Sequence, residues 1–132
     1  MNKEVQLLKD KVKNLRILYA EDENELREGT ELFLNKFFNF VESASDGEEG
    51  LKKFNQNNYN VIFTDIMMPN MDGKELLKNI KEINPNTFAV TLTASDVKES
   101  DMTDFSDLYF RKPISYENMI VIMREIVKKF DL

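Results

Sequence analysis

Five short apolar runs, each followed by a stretch with helical spacing, restrict the fold of this chain more than any other feature. The runs are Ile17-Leu18-Tyr19-Ala20, Phe38 to Val41, Val61-Ile62-Phe63-Thr64, Phe88 to Leu92 and Leu108-Tyr109-Phe110. They are short and mostly continuous rather than alternating, which is the pattern of strands buried on both faces. Strands that alternate with helices form βα units. Right-handed crossovers then impose an open parallel sheet with helices on both sides.

The intervening segments carry start signals and apolar stripes. From about Asn24 to Lys36, the residues Leu26, Thr30, Phe33 and Phe37 fall on one face. Ser45 and Glu48 have the spacing of a capping box, opening a helix through Leu51 and Phe54. Asp72 is placed to cap a helix carrying Leu76, Leu77 and Ile80, and Ser95 or Asp96 to cap a short one. The last helix is expected over Tyr116 to Phe130, with Met119, Ile120, Met123 and Val127 inward. Val121 and Ile122 fall outside that stripe. They read first as scattered surface residues, and second as a partner or dimer surface.

The first residues stand apart. Val5, Leu8, Val12 and Leu15 recur at helical spacing, so residues 2–13 are expected to form an extra amphipathic helix. The preferred reading is a helix docked on the domain; a short coiled-coil or dimer contact is the alternative. The division is therefore 1–14 as an extension and 15–132 as one domain, an ordinary length for a single core.

Composition narrows the chemistry. Apolar residues make up 42% of the 132 residues, with ten Phe, and charged residues 32%. This is the profile of a folded globular domain. The net charge of −6 disfavours nucleic-acid phosphates or an anionic membrane as the main partner. No apolar run is long enough to span a bilayer and the N-terminus lacks a secretory apolar core, so a cytoplasmic location is expected. The absence of Cys removes disulfides and thiolate chemistry. The absence of His removes the Ser-His-Asp and Cys-His schemes and His-ligated zinc. Any metal must sit on oxygen, which points to a hard ion such as Mg²⁺, with Mn²⁺ as a substitute.

In open α/β sheets, ligands bind beyond the carboxyl ends of the strands. Glu21 and Asp22 follow the first run, Asp65 the third, Thr93 the fourth and Lys112-Pro113 the fifth. Each alone is an ordinary loop or cap residue; their joint placement at successive strand ends is not. Clustered carboxylates repel one another until a divalent cation neutralises them. A lysine supplies a point charge for a phosphoryl group, and a carboxylate nucleophile yields an acyl phosphate.

The segments Ile17-Leu18-Tyr19-Ala20-Glu21-Asp22-Glu23, Val61 to Gly73, Thr91-Leu92-Thr93-Ala94 and Tyr109-Phe110-Arg111-Lys112-Pro113 resemble the receiver domains of two-component response regulators. The likeness covers roughly residues 15–130, and the stretch Asp65-Ile66-Met67-Met68-Pro69-Asn70-Met71-Asp72-Gly73 is its most specific part. The resemblance implies a flavodoxin-like (βα)5 sandwich with strand order 2-1-3-4-5; the general rule for this fold cites a family member as its own example. It implies that Asp65 accepts the phosphoryl group, that Asp22 binds Mg²⁺ directly, and that Glu21 does so directly or through water. The Met67 carbonyl would be a further ligand. Lys112 would contact the phosphoryl group and its peptide bond to Pro113 would be cis, Thr93 would be the switch hydroxyl and Tyr109 the switch aromatic. The partners implied are a sensor histidine kinase or histidine phosphotransfer protein and an output protein or domain, with the receiver monomeric or dimerising on phosphorylation. Such a domain is a signalling switch that takes part in its own phosphorylation and slow dephosphorylation.

Other readings are weaker. A receiver-like interaction module that is never phosphorylated is the runner-up, although all five site residues are present. An aspartate-nucleophile phosphatase of the haloacid dehalogenase type needs an acid/base Asp where Met67 stands. A flavin site needs a hydroxyl-rich loop where Glu21-Asp22-Glu23 stand. The sequence departs from the family between Thr93 and Lys112, which is short and reads Asp101-Met102-Thr103-Asp104-Phe105-Ser106-Asp107. A short, displaced or mobile fourth helix of the family pattern is expected there. The bulk of Met67 is expected to shield an acyl phosphate from water. The chain ends near Leu132, just after its last helix, so output is expected through protein contact or within a larger regulator.

Overall fold

The computed structural model describes residues 2–94 and 104–132. The short helix expected to start at Ser95 or Asp96, and with it the expectation about the family's fourth helix, lies outside the described residues. Strands β1 (Arg16–Ala20), β2 (Phe40–Ala44), β3 (Val61–Asp65), β4 (Phe88–Thr93) and β5 (Leu108–Arg111) form one sheet. All pairings are parallel, in the order β2-β1-β3-β4-β5. The central strands β3 and β4 are buried at every position, as their continuous apolar runs require.

Alternation of side chains divides the interior into two cores. Ile17, Tyr19, Val61, Phe63, Val90 and Leu92 face helices α1 (Lys3–Val12), α2 (Asn24–Leu34) and α5 (Tyr116–Phe130). Leu18, Ala20, Ile62 and Ala89 face α3 (Gly47–Gln56) and α4 (Gly73–Ile83). In α4, the expected Leu76, Leu77 and Ile80 are fully buried and Asp72 caps by accepting from the Glu75 N–H at 2.9 Å.

The N-terminal helix is present and packs on α5. Val5, Leu8 and Val12 enter the first core, and the Arg124 Nε donates to Glu4 Oε1 at 2.6 Å across the two helices. The Asn2 side chain caps α1 by accepting from the Val5 N–H at 2.9 Å.

Four expectations need correction. The second strand begins at Phe40, not Phe38. Phe37 and Phe38 are core residues of the α2–β2 connection, and the Phe38 ring meets Phe63 at 6.4 Å. Edge position then lets the half-buried Glu42 and Ser43 continue the strand. Helix α2 stops at Leu34 because its end tightens into three-residue bonds, Lys36 N–H to Phe33 O and Phe37 N–H to Leu34 O. The cap of α3 is Asp46 rather than Ser45. Glu49, not Glu48, reaches back, accepting from the Ser45 N–H at 2.9 Å. Finally, Ile122 is fully buried, whereas Ile120 and Val127 are only half-buried. The inner face of α5 is Met119, Ile122, Met123 and Ile126, rotated from the expected stripe, because this helix meets α1 as well as the sheet.

Candidate functional site

Register places the site residues together. Ala20 pairs with Thr64, so Glu21 and Asp65 are each the next residue along adjacent strands. Asp65 pairs with Leu92 and Thr93 with Arg111, which puts Thr93 and Lys112 at the same edge. The adjacency of β1 and β3 is what allows Glu21, Asp22 and Asp65 to converge. Each offers a carboxylate oxygen within 4.8 Å of the others.

Lys112 is inserted into this cluster. Its Nζ donates to Asp65 Oδ2 at 2.8 Å and to Glu21 Oε1 at 3.0 Å. Glu21 and Asp65 are buried while Asp22 is exposed at the mouth. Burial raises the Glu21 carboxyl above its usual value, against the opposing pull of the Glu23 N–H and the Lys112 ammonium. Burial also works against the Lys112 ammonium, but its bonds to Asp65 and Glu21 prevail and its pKa is raised. One ammonium among three carboxylates leaves negative charge in excess. An all-oxygen donor set with excess negative charge fits a hard divalent cation.

The loop after β3 is shaped by close backbone approach. A Cβ at Gly73 would lie 2.1 Å from the Asp65 carbonyl oxygen, and the Gly73 N–H donates to Ile66 O at 2.7 Å. Asp65 Oδ1 accepts from the Ile66 N–H at 2.7 Å, which orients its carboxylate. The Met67 side chain is 65% exposed at this loop, and Met68 packs against the second core.

Thr93 is buried and its carbonyl accepts from the Lys112 N–H at 2.8 Å. Tyr109 is half-buried on β5. Because Thr91 pairs with Tyr109, Thr93 and Tyr109 share one face of the sheet, two residues out of register. The Lys112–Pro113 bond is cis.

Two contributors escaped the sequence reading. Arg27, on the first turns of α2, donates to the Glu21 carbonyl at 2.9 Å and to Asn24 Oδ1 at 2.7 Å. It sits six residues after Glu21, a spacing that becomes legible only once the strand end and helix start are fixed. Asn70 occupies the left-handed region at φ 68°. The Pro69-Asn70 pair was its signal, since Asn tolerates that region and marks turns.

A parallel doubly wound sheet with an acidic, lysine-bridged centre at its carboxyl edge defines the class of protein. A family profile described as the response regulator receiver domain matches residues 17–124. The chain belongs to this family. It is 31% identical over 118 residues to the transcriptional regulatory protein TrcR of Mycobacterium tuberculosis, covering 87% of this chain and 46% of that one. It is 32% identical over 123 residues to RprY of Bacteroides fragilis, covering 91% and 52%. The chain thus spans about half the length of the curated relatives it matches. Among solved structures, a Francisella response regulator receiver domain superposes with TM-score 0.75 at 32% identity, covering 89% of this chain and 99% of that chain. The Thermotoga maritima response regulator TrrA, in complex with Mg²⁺ and beryllium fluoride, gives 0.74 at 29%, covering 85% and 98%. The protein is a receiver domain, a signalling switch of two-component systems.

Proposed function

We propose that Asp65 is the phosphoacceptor and that the domain receives its phosphoryl group from a phosphohistidine on a sensor histidine kinase or histidine phosphotransfer protein. The observation that carries this reading is the Lys112 ammonium held 2.8 Å from Asp65 and 3.0 Å from Glu21. A cation bound by Glu21, Asp22, Asp65 and the Met67 carbonyl would neutralise the incoming phosphoryl oxygens. Mg²⁺ suits this role by analogy with TrrA, and Mn²⁺ is a substitute with the same oxygen chemistry.

An Asp65 carboxylate oxygen attacks phosphorus in line as the phosphorus–nitrogen bond of the donor breaks, and the imidazole leaves as a neutral ring once protonated. Lys112 shifts from bridging two carboxylates to contacting the phosphoryl group. Positioning and charge neutralisation supply most of such catalysis. Thr93 then donates to a phosphoryl oxygen, and Tyr109 turns into the space released on their shared face. The phosphoryl group shifts a population already sampled. Taking the switch from nearly off to nearly on requires about 5 kcal/mol of differential interaction.

Residues 15–132 are the receiver and residues 1–14 an extension docked on α5. The output is a protein contact, within a larger regulator or with a separate partner, and not direct binding to nucleic acid or membrane; the location is the cytoplasm. Monomer and phosphorylation-dependent dimer are both compatible with this output.

The test is intact-mass spectrometry after incubation with acetyl phosphate, with and without Mg²⁺, on the parent and on Lys112→Ala. One added phosphoryl group that needs Mg²⁺ and accumulates far more slowly in Lys112→Ala is expected. No addition in the parent, with Mg²⁺ binding also absent, would favour an unphosphorylated interaction module.

A further inference from the structure

The loop that follows Asp65 is tied to α3, the helix beside α4 on the second core. Asp46, the N-cap of α3, uses both carboxylate oxygens. Oδ1 accepts from the Glu49 N–H at 2.7 Å, and Oδ2 accepts from the Asn70 amide at 2.7 Å. The residue beside this cap brings backbone to backbone: a Cβ on Gly47 would lie 2.1 Å from the Met71 carbonyl oxygen. Asn70 reaches Asp46 from a left-handed conformation, φ 68°, which Asn and Asp adopt more readily than other side chains. Within the loop, Met71 N–H donates to Pro69 O at 2.8 Å and Gly73 N–H to Ile66 O at 2.7 Å.

We infer that Asp46 and Asn70 are positioning residues whose hydrogen bond fastens the loop 66–72 to α3 and holds it in cation-binding geometry. The inference rests on the proposed reading of Asp65 as a metal-assisted phosphoacceptor. The Met67 carbonyl belongs to this loop, two residues beyond Asp65. Mg²⁺ demands near-ideal octahedral geometry, so a loop free to drift would bind it less well. A loop ordered beforehand avoids that cost at the moment of binding. The Glu49 N–H, and after it the Asn70 amide, hold the Asp46 carboxyl below its usual value.

Asp46→Ser keeps a capping oxygen but loses the second acceptor. Asn70→Ala loses the donor, and Asn70→Gly does so while accommodating the backbone. Mg²⁺ affinity of the full chain is measured by calorimetry, and exchange of the Gly73 amide without metal by NMR. Each single variant is expected to weaken Mg²⁺ by about two- to five-fold, the range of one solvent-facing hydrogen bond, and to speed the Gly73 exchange. Asp46→Ser combined with Asn70→Ala should be no weaker than the worse single, because both remove one shared bond. The exchange Asp46→Asn with Asn70→Asp reverses donor and acceptor at constant charge and should restore affinity. Parent affinity in the folded singles, losses that add in the double variant, or unchanged Gly73 exchange would overturn the inference. If the parent itself binds no Mg²⁺, the reading of the site fails, and the exchange measurement alone still decides whether the tie exists.

Discussion

Gly73→Ala probes the packing that shapes the loop after Asp65. The new Cβ would meet the Asp65 carbonyl oxygen at 2.1 Å, the Ile66 Cα at 2.9 Å and the Asp65 carbonyl carbon at 3.0 Å. All three are backbone atoms, so no side chain can swing aside. Reaching even a 3.0 Å contact requires the loop or the start of α4 to move by about 0.9 Å. That movement pulls on the Gly73 N–H bond to Ile66 O. Overpacking of this kind costs roughly 1–3 kcal/mol, and weakening the bond adds up to about 1 kcal/mol. The better helix propensity of Ala returns at most ~1 kcal/mol. The net expectation is a loss of about 1–3 kcal/mol, or roughly 4–11 °C in Tm for a domain of this size. Urea denaturation should show a lower midpoint at unchanged slope. Because the displaced atoms belong to Asp65 and Ile66, phosphoryl acceptance should slow by about 10- to 100-fold. Gly29→Ala is the control, since its Cβ would meet nothing within 4 Å, and it should stabilise slightly. A Gly73→Ala protein within about 0.5 kcal/mol of the parent, a change ordinary for surface sites, would refute the steric reasoning.

The Glu21 carboxyl is raised from its usual 4.5, by burial above all. The folded state therefore holds that proton more tightly than the unfolded state, and Glu21 makes stability fall as pH rises from about 4.5 through its raised value. Urea titrations over this window should show that slope in the parent and lose it in Glu21→Gln; identical slopes would contradict the assignment. Ile122→Ala should cost about 2–4 kcal/mol in denaturation experiments, whereas Val121→Ala on the exposed side should change stability by less than ~0.5 kcal/mol; equal effects would return Ile122 to the surface. Met67→Asn should shorten the lifetime of the phosphorylated form, followed by intact mass over time; a slower decay would end the shielding idea.

The fold was legible where burial is total. The runs at Val61 and Phe88 fill both faces of central strands, so their hydrophobicity reports their position directly. Legibility failed where two elements share the work. The inner face of α5 turned away from the expected stripe because α1, distant in sequence, packs on the same helix and buries Ile122 in a common core. Phe38 marked a core position that belongs to a connection, not a strand. Strand-end chemistry was readable because Glu21, Asp65, Thr93 and Lys112 each follow a run. The supports of the site were not. Arg27 acts on a backbone carbonyl six residues back, which has meaning only once the strand end and helix start are fixed, and Asp46 meets Asn70 across 24 residues, which has meaning only once the elements are placed side by side.

The central claim is that one carboxylate, Asp65, carries the phosphoryl group. Borohydride reduction of the protein treated with acetyl phosphate and Mg²⁺ converts a phosphorylated aspartate to homoserine, which peptide mass mapping locates. Conversion at Asp65 alone, absent without Mg²⁺, is the predicted result. Conversion at Asp22 or another carboxylate, with Asp65 unmodified, would contradict the account.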